Sequence, residues 1–355
     1  MASAPDAVAP AVGWDVGGAH LKACLVEAGR VVDVAQWPCP LWKGTAHLDQ
    51  AIAAAFARWP RARQPAARHA ATMTGEMVDL FADREQGVAR LAATLAESLG
   101  PSLRLYAGGT RFVGPAEAPR HWQAIASANW QASGAVLAAR VGDALLLDVG
   151  STTTDIVPLC GHRLAARGMD DARRLACGEL VYQGVVRTPL CALAAQVPFE
   201  GEQVNVMNEF FATTADVYRT TGELDPAHDQ DATADGTGKD LPATSRRLAR
   251  MIGRDARERG QPAWARLAQA WRTLQRADIE GQVARAAAGA GLAAAAPLVG
   301  AGCGAFLVAD IAARTGRRFR RFSHVMTGST DGALAGWIDV CAPAVAVAAL
   351  AFEHG

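Results

Sequence analysis

Lysine is nearly absent: Lys22, Lys43 and Lys239 are the whole complement, and arginine supplies the rest of 35 basic residues against 35 acidic ones. A chain without net charge carries no electrostatic footprint for nucleic acid or an anionic bilayer surface, so neither is expected as a partner. The seven cysteines (Cys24, Cys39, Cys160, Cys177, Cys191, Cys303 and Cys341) are scattered, odd in number and never spaced Cys-x-x-Cys. That pattern argues against a zinc ribbon, an iron–sulfur ligand set and a disulfide framework, and fits a reducing cytoplasm. The opening MASAPDAVAP lacks a basic region and an apolar core, and reads as a short leader rather than a signal peptide. One uncharged run, Ala286 to Ala309, is long enough to cross a bilayer. It is mostly Ala and Gly with Pro297 in the middle, and reads better as a buried strand, a glycine turn and a helix start.

What is present is an ordinary globular composition, 50% hydrophobic and 20% charged, over 355 residues, which suits about two domains. Apolar runs bounded by glycine predict two strands within Val12–Val34, a strand at Ala67–Thr74 and another at LRLYAGG. Helical spacing predicts helices at Ala46–Trp59, Gln86–Leu99, Trp122–Arg140, Val204–Gly222, Pro242–Arg259 and Pro262–Ala287. Asp225–Asp240, with five Asp residues, predicts a polar loop. A loose internal repeat organises the whole. VGWDVGGAHLKACLV and LLLDVGSTTTDIVPL share an apolar strand, an Asp, one residue, a Gly, small polar residues and a second apolar strand.

Each copy offers phosphate chemistry. Glycines let backbone N–H groups approach an anion, and a tight turn of such groups forms a nest. In the first copy Gly17, Gly18 and His20 are candidate phosphate donors, with Lys22 adding charge. In the second, Gly150 and the hydroxyl row Ser151, Thr152, Thr153 and Thr154 play that part. Asp15 and Asp148 close the two strands and are candidate Mg2+ ligands through water, since magnesium keeps much of its hydration shell. A plain hairpin with a capping Asp is the alternative for each loop alone. LVGAGCGAF adds a glycine turn with Gly300 and Gly302 as phosphate or adenosine contacts, or as a close helix–strand contact.

The two Asp-x-Gly hairpins and the late glycine turn resemble the phosphate-1, phosphate-2 and adenosine motifs of the actin/sugar-kinase/Hsp70 superfamily. DVGSTTTDI is similar to its hydantoinase/oxoprolinase branch. GWDVGGAHLK, TMTGEM, SANW, DVGSTTTDIVPL, GELVYQGVVRTP, TTADVYRTTGEL and ADGTGKD resemble, in order, tetrahydromethanopterin-linked one-carbon pathway proteins, relatives of the condensing enzyme of methanofuran biosynthesis.

The resemblance implies an α/β, two-domain actin-like (ribonuclease H-like) fold with an interdomain cleft lined by both loops. It implies domains at 8–140 and 141–340, a helical insertion at about 200–288, and a C-terminal helix 341–355 returning to the first domain. The implied enzyme is a cytoplasmic transferase joining an aminomethylfuran-methyl diphosphate to the phenol of a γ-glutamyl-tyramine or -tyrosine acceptor, with release of diphosphate. Asp15, Lys22, Asp148 and Glu179 are its catalytic candidates, Glu179 as base for the phenol or else part of a solvated helix face. Thr74, Glu76, Asn129 and Trp130 are its substrate-binding candidates. The alternatives are an N-cap for Thr74, a surface carboxylate for Glu76 and a core aromatic for Trp130. Mg2+ is the expected cofactor, ATP or ADP stays open, small molecules are the expected partners, and a homodimer stays open. Asp229, Asp231 and Asp235 with Lys239 offer a second Mg2+ site or a solvated loop; His228 reads as exposed, and Arg187 and Arg219 as phosphate partners. The superfamily alone would also admit an ATP-dependent ring hydrolase, a small-molecule kinase or a nucleotide-gated regulator.

Overall fold

The computed structural model describes residues 9–328 and 332–352. Most of the expected leader and the last three residues of the expected C-terminal helix lie outside that range. The chain forms two compact units, one from residues up to Gly142 with Gly161–Leu164 and the chain from Phe322 on, the other from Asp143–Cys160 and Ala165–Arg321.

The first unit begins with β1 (Ala11–Val16), β2 (His20–Glu27) and β3 (Arg30–Pro38), an antiparallel meander. Helix α1 (Ala46–Arg58) leads to β4 (Arg68–Met73), and α2 (Arg84–Leu99) to β5 (Leu103–Tyr106) and β6 (Phe112–Val113). The sheet order is β3-β2-β1-β4-β5-β6, with β4 and β5 parallel to β1. Every residue of β1 is buried, as a central strand covered on both faces requires. Asp83 caps α2 by accepting the Gln86 N–H, and Val88, Leu91 and Leu95 bury its inner face at helical spacing. The expected helix over 122–140 is two helices, α3 (Trp122–Ile125) and α4 (Asn129–Ala138), parted where Ser127 takes a φ of +50°.

The second unit opens with the hairpin β7 (Ala144–Val149) and β8 (Thr154–Cys160). Past the short β9 (Arg163–Leu164) come α5 (Asp171–Cys177), β10 (Leu180–Val181) and α6 (Leu190–Leu193). A hairpin of β11 (Gln196–Phe199) and β12 (Glu202–Asn205) precedes α7 (Thr214–Thr221), α8 (Leu241–Arg250) and the long α9 (Gln261–Gly289). Then β13 (Leu298–Ala301), α10 (Ala305–Arg314) and β14 (Phe319–Arg321) complete a sheet ordered β10-β8-β7-β13-β14. Its order and strand directions repeat β3-β2-β1-β4-β5 of the first unit. The chain has a two-domain, actin-like α/β fold.

The expected helix over Val204–Gly222 is a correction. Glu200 and Gly201 both take positive φ, the geometry of a tight hairpin turn, so Val204 belongs to β12 and the helix starts only at Thr214. The helix over Pro242–Arg259 likewise ends at Arg250, and the chain turns at Gly253, φ +70°. The last helices, α11 (Phe322–Thr327), α12 (Ala333–Val340) and α13 (Ala342–Phe352), belong to the first unit, so the return begins at Phe322, earlier than expected. Apolar α13 is buried against β1, β4 and α4. No single helix is long and apolar enough to cross a membrane among the described residues.

Candidate active site

The two hairpins repeat residue for residue. Asp15 lies opposite Lys22 across β1–β2, and Asp148 lies opposite Asp155 across β7–β8. Both turns close the same way: the Gly17 N–H donates to the His20 carbonyl at 3.0 Å, and the Gly150 N–H to the Thr153 carbonyl at 2.9 Å. The copies differ at the charge facing the aspartate. Lys22 stands there in the first, whereas in the second Asp155 is bound to the buried Arg174 at 2.8 Å.

In the second unit the hydroxyl loop has a floor. The N–H of Val185 donates to the Gly150 carbonyl at 3.0 Å, and those of Val186 and Arg187 to the Ser151 carbonyl at 3.1 and 2.8 Å. Gly184 lies so close to Ser151 and Thr152 that any side chain there would collide with their backbone. This strap is held by the Thr188 hydroxyl, which accepts the Gly184 N–H at 2.8 Å, and by Thr214 and Gln275, which both donate to the Gly184 carbonyl at 2.9 Å. Ser151, Thr152 and Thr153 stay partly exposed on top. The Arg187 guanidinium reaches the Thr152 hydroxyl at 3.4 Å. The glycine turn packs on the same strand end: the Gly304 N–H donates to the Val149 carbonyl at 2.8 Å. Gly302, φ +80°, presses against Val149 and the half-buried Asp148, leaving no space for a Cβ.

In the first unit the Thr74 N–H donates to the Val16 carbonyl at 2.9 Å, which seats TMTGEM beside the first loop. Thr74 stands at the N-cap position of the short helical turn Gly75–Met77 but makes no side-chain cap bond there. Glu76 is 1% exposed and accepts the Ser127 hydroxyl at 2.9 Å, so it is no surface carboxylate, and TMTGEM and SANW form one structure. Asn129 begins α4 partly exposed. Asp15 and His20 are buried, while Gly17, Gly18 and Lys22 keep partial exposure.

Several expectations need correcting. Thr154 is fully buried and its hydroxyl donates to the Gln183 carbonyl at 2.7 Å, so it is a strand residue rather than a phosphate donor. Gly300 lies within β13, where a Cβ would stand 2.7 Å from the Phe319 ring; packing, not phosphate, explains it. Trp130 is buried within α4 and takes the core reading. Glu179 is enclosed, its carboxylate accepting the N–H groups of Arg167 at 2.8 Å and Gly168 at 3.1 Å. With both carboxylate oxygens taken by backbone N–H groups, it ties the 165–168 segment to β10 rather than serving as a base for a phenol.

The carboxylates of the acidic loop are engaged by cations from other segments. Asp229 is held by Arg219 at 2.6 Å and by Lys239 at 3.1 Å, and Asp235 by Arg247 at 3.0 Å. Arg219 and Arg247 also converge on the buried Asp216, at 3.0 and 2.8 Å. Burial pushes the Asp216 carboxyl up, against the pull of Arg247. Among the described residues no three His, Cys, Asp or Glu side chains group as a metal site. Arg219 therefore serves this network rather than a phosphate. The sequence reading missed Asp216, Arg247 and Arg174. Only Asp216 left a signal, the Thr213-x-x-Asp216 capping box at the start of α7.

Residues 68–338 match the hydantoinase/oxoprolinase family. The chain belongs to that family. Two similar proteins are named (4-{4-[2-(gamma-L-glutamylamino)ethyl]phenoxymethyl}furan-2-yl)methanamine synthase. That of Methanocaldococcus jannaschii is 28% identical over 245 residues, 69% of this chain and 72% of its own length. That of Methanococcus vannielii is 34% identical over 111 residues, 31% of this chain and half of its own length. Among solved structures, nucleotide-free acetone carboxylase shares the fold with a TM-score of 0.51 at 11% identity, covering 96% of this chain and 70% of that one. The matched span of the hydantoinase/oxoprolinase family contains the second Asp-x-Gly hairpin with its hydroxyl loop and Arg187, while the first hairpin precedes that span.

Proposed function

We propose that the chain is a biosynthetic transferase that makes an aryl ether of the methanofuran type. The phenol oxygen of a γ-glutamyl-tyramine or -tyrosine acceptor attacks the methylene of an aminomethylfuran-methyl diphosphate. The carbon–oxygen bond to diphosphate breaks, the carbon–oxygen bond to the ring forms, and the phenol proton passes to the departing diphosphate. The observation that supports this reading is the loop of the second unit: three partly exposed hydroxyl residues over a strapped floor, with Arg187 at their edge. The phenoxymethyl-furan in the relatives' name supplies the substrate class.

A furan stabilises positive charge on its attached methylene, so the chain's task is to hold the leaving diphosphate and keep water from the cation. Ser151, Thr152, Thr153 and the Gly150 turn take the diphosphate oxygens, and Arg187 neutralises their charge. Gly17, Gly18, His20 and Lys22 offer the same donor chemistry in the first unit. Asp148, half-buried at a strand end, suits a water-bridged Mg2+; when bound, the ion would neutralise leaving-group charge. Asp15, 3% exposed, is better placed to hold its loop beside Lys22. Glu76, with Ser127 and Thr74, is assigned the furan's ammonium group.

The test is direct. Enzyme, Mg2+ and both substrates should release diphosphate only when the phenol is present, together with the ether product. Phosphate release from ATP without ether would instead favour an ATP-dependent hydrolase or kinase, and calorimetry with ATP, ADP and diphosphate would separate the readings.

A further inference from the structure

We propose that Asp231 is a positioning residue that aims the Arg187 guanidinium at the anion held by the Ser151–Thr153 loop. The assignment rests on the diphosphate reading above. It starts from the two ends of one side chain. Arg187 turns its NH1 edge to the Thr152 hydroxyl at 3.4 Å and its Nε to Asp231 Oδ1 at 3.9 Å. A guanidinium is a rigid planar fork, so a carboxylate at the Nε side orients the remaining donors. They then face the loop.

Both partners are themselves held. The Arg187 backbone is bonded to the Ser151 carbonyl, and Thr188 beside it accepts the Gly184 N–H and the Thr214 N–H, through its hydroxyl and its carbonyl. On the other side, Asp231 sits between Asp229, fixed by Arg219 and Lys239, and Asp235, fixed by Arg247. The charged loop thus has a use that its solvated appearance in sequence hides. It delivers one carboxylate to one arginine. Burial raises the Asp231 carboxyl from its ordinary value; Arg187 is the main charge pulling it down, the neighbouring Asp229 carboxylate raises it further, and Lys239 and Arg219 lower it less. An ionised Asp231 therefore costs folding stability at neutral pH, and a carboxylate kept against that cost points to a role in binding.

The experiment is a double-mutant cycle on the full chain, read by calorimetry with inorganic diphosphate and Mg2+, with melting curves alongside. Asp231→Asn should weaken diphosphate binding about tenfold in the otherwise native protein and hardly at all in an Arg187→Ala background, as coupled neighbours require. It should melt at the same temperature as the native protein or higher. Arg187→Lys, which keeps the charge but loses the fork, should also abolish sensitivity to Asp231. Equal losses in both backgrounds, native-like affinity in Asp231→Asn, or undiminished sensitivity in Arg187→Lys would overturn the positioning role while leaving the diphosphate reading intact. Native protein that does not bind diphosphate would overturn that reading, and this assignment with it.

Discussion

Ser127 donates its hydroxyl to Glu76 at 2.9 Å from a backbone held at φ +50°. A non-glycine residue in that region is strained, and such strain persists where surrounding contacts over-determine it. Ser127→Ala would leave the buried carboxylate short of a donor and should destabilise the first unit by about 1–3 kcal/mol. Glu76→Gln keeps the hydrogen bond and removes the charge. It should raise KM for the cationic furan substrate far more than it lowers the melting temperature. Equal KM values for both proteins would take the ammonium site away from Glu76.

Asp148, the penultimate residue of β7, lies half-buried against the Gly302 turn. If it places Mg2+ on the leaving group, Asp148→Asn should lower turnover by roughly two to three decades, since one contact that strengthens in the transition state is worth about 2–4 kcal/mol. The melting temperature should stay near that of the native protein. Unchanged turnover in a well-folded variant would reduce the hairpin to architecture.

Thr153 and Thr154 are neighbours with different fates. Thr153→Val should weaken diphosphate binding and leave folding alone. Thr154→Val removes the bond to the Gln183 carbonyl and should cost about 1 kcal/mol of stability. Urea unfolding and diphosphate calorimetry, run on both, should give opposite patterns.

Arg247 is 0% exposed and bridges Asp216 to Asp235. Arg247→Met would remove one of the two cations on the buried Asp216, leaving it to Arg219, and should destabilise the second unit by about 3 kcal/mol. The double variant Asp216→Leu/Arg247→Met should recover part of the loss in urea titrations.

The Trp14 indole N–H donates to His69 Nδ1 at 3.2 Å inside the first unit. Burial lowers the imidazole from 6.5 to about 4. A proton taken up by the unfolded chain but refused by the folded one destabilises the fold, so His69 is neutral in effect above 6.5. Stability is then lost as pH falls from 6.5 toward 4, by about 3 kcal/mol at most. His69→Gln keeps an acceptor for Trp14 and should flatten that slope in chemical denaturation between those pH values.

The sequence alone determined the repeat and therefore the fold. An apolar strand, Asp, Gly and a second apolar strand, written twice, sets two hairpins whose registers match at Asp15–Lys22 and Asp148–Asp155, because strand periodicity and tight turns are local properties. The hydroxyl row and the TMTGEM tip were legible for the same reason. Which of those hydroxyls face outward was not, since Thr154 and Thr153 differ only in what lies across the sheet. Tertiary structure alone decided the charged residues. Asp229, Asp231 and Asp235 read as one acidic run, yet each meets a cation supplied by a different segment: Arg219, Arg187 and Arg247. Glu179 read as a base and is enclosed by backbone donors from the turn before α5. A charge's role depends on its partner and its burial, and folding sets both over distances along the chain that no local pattern records.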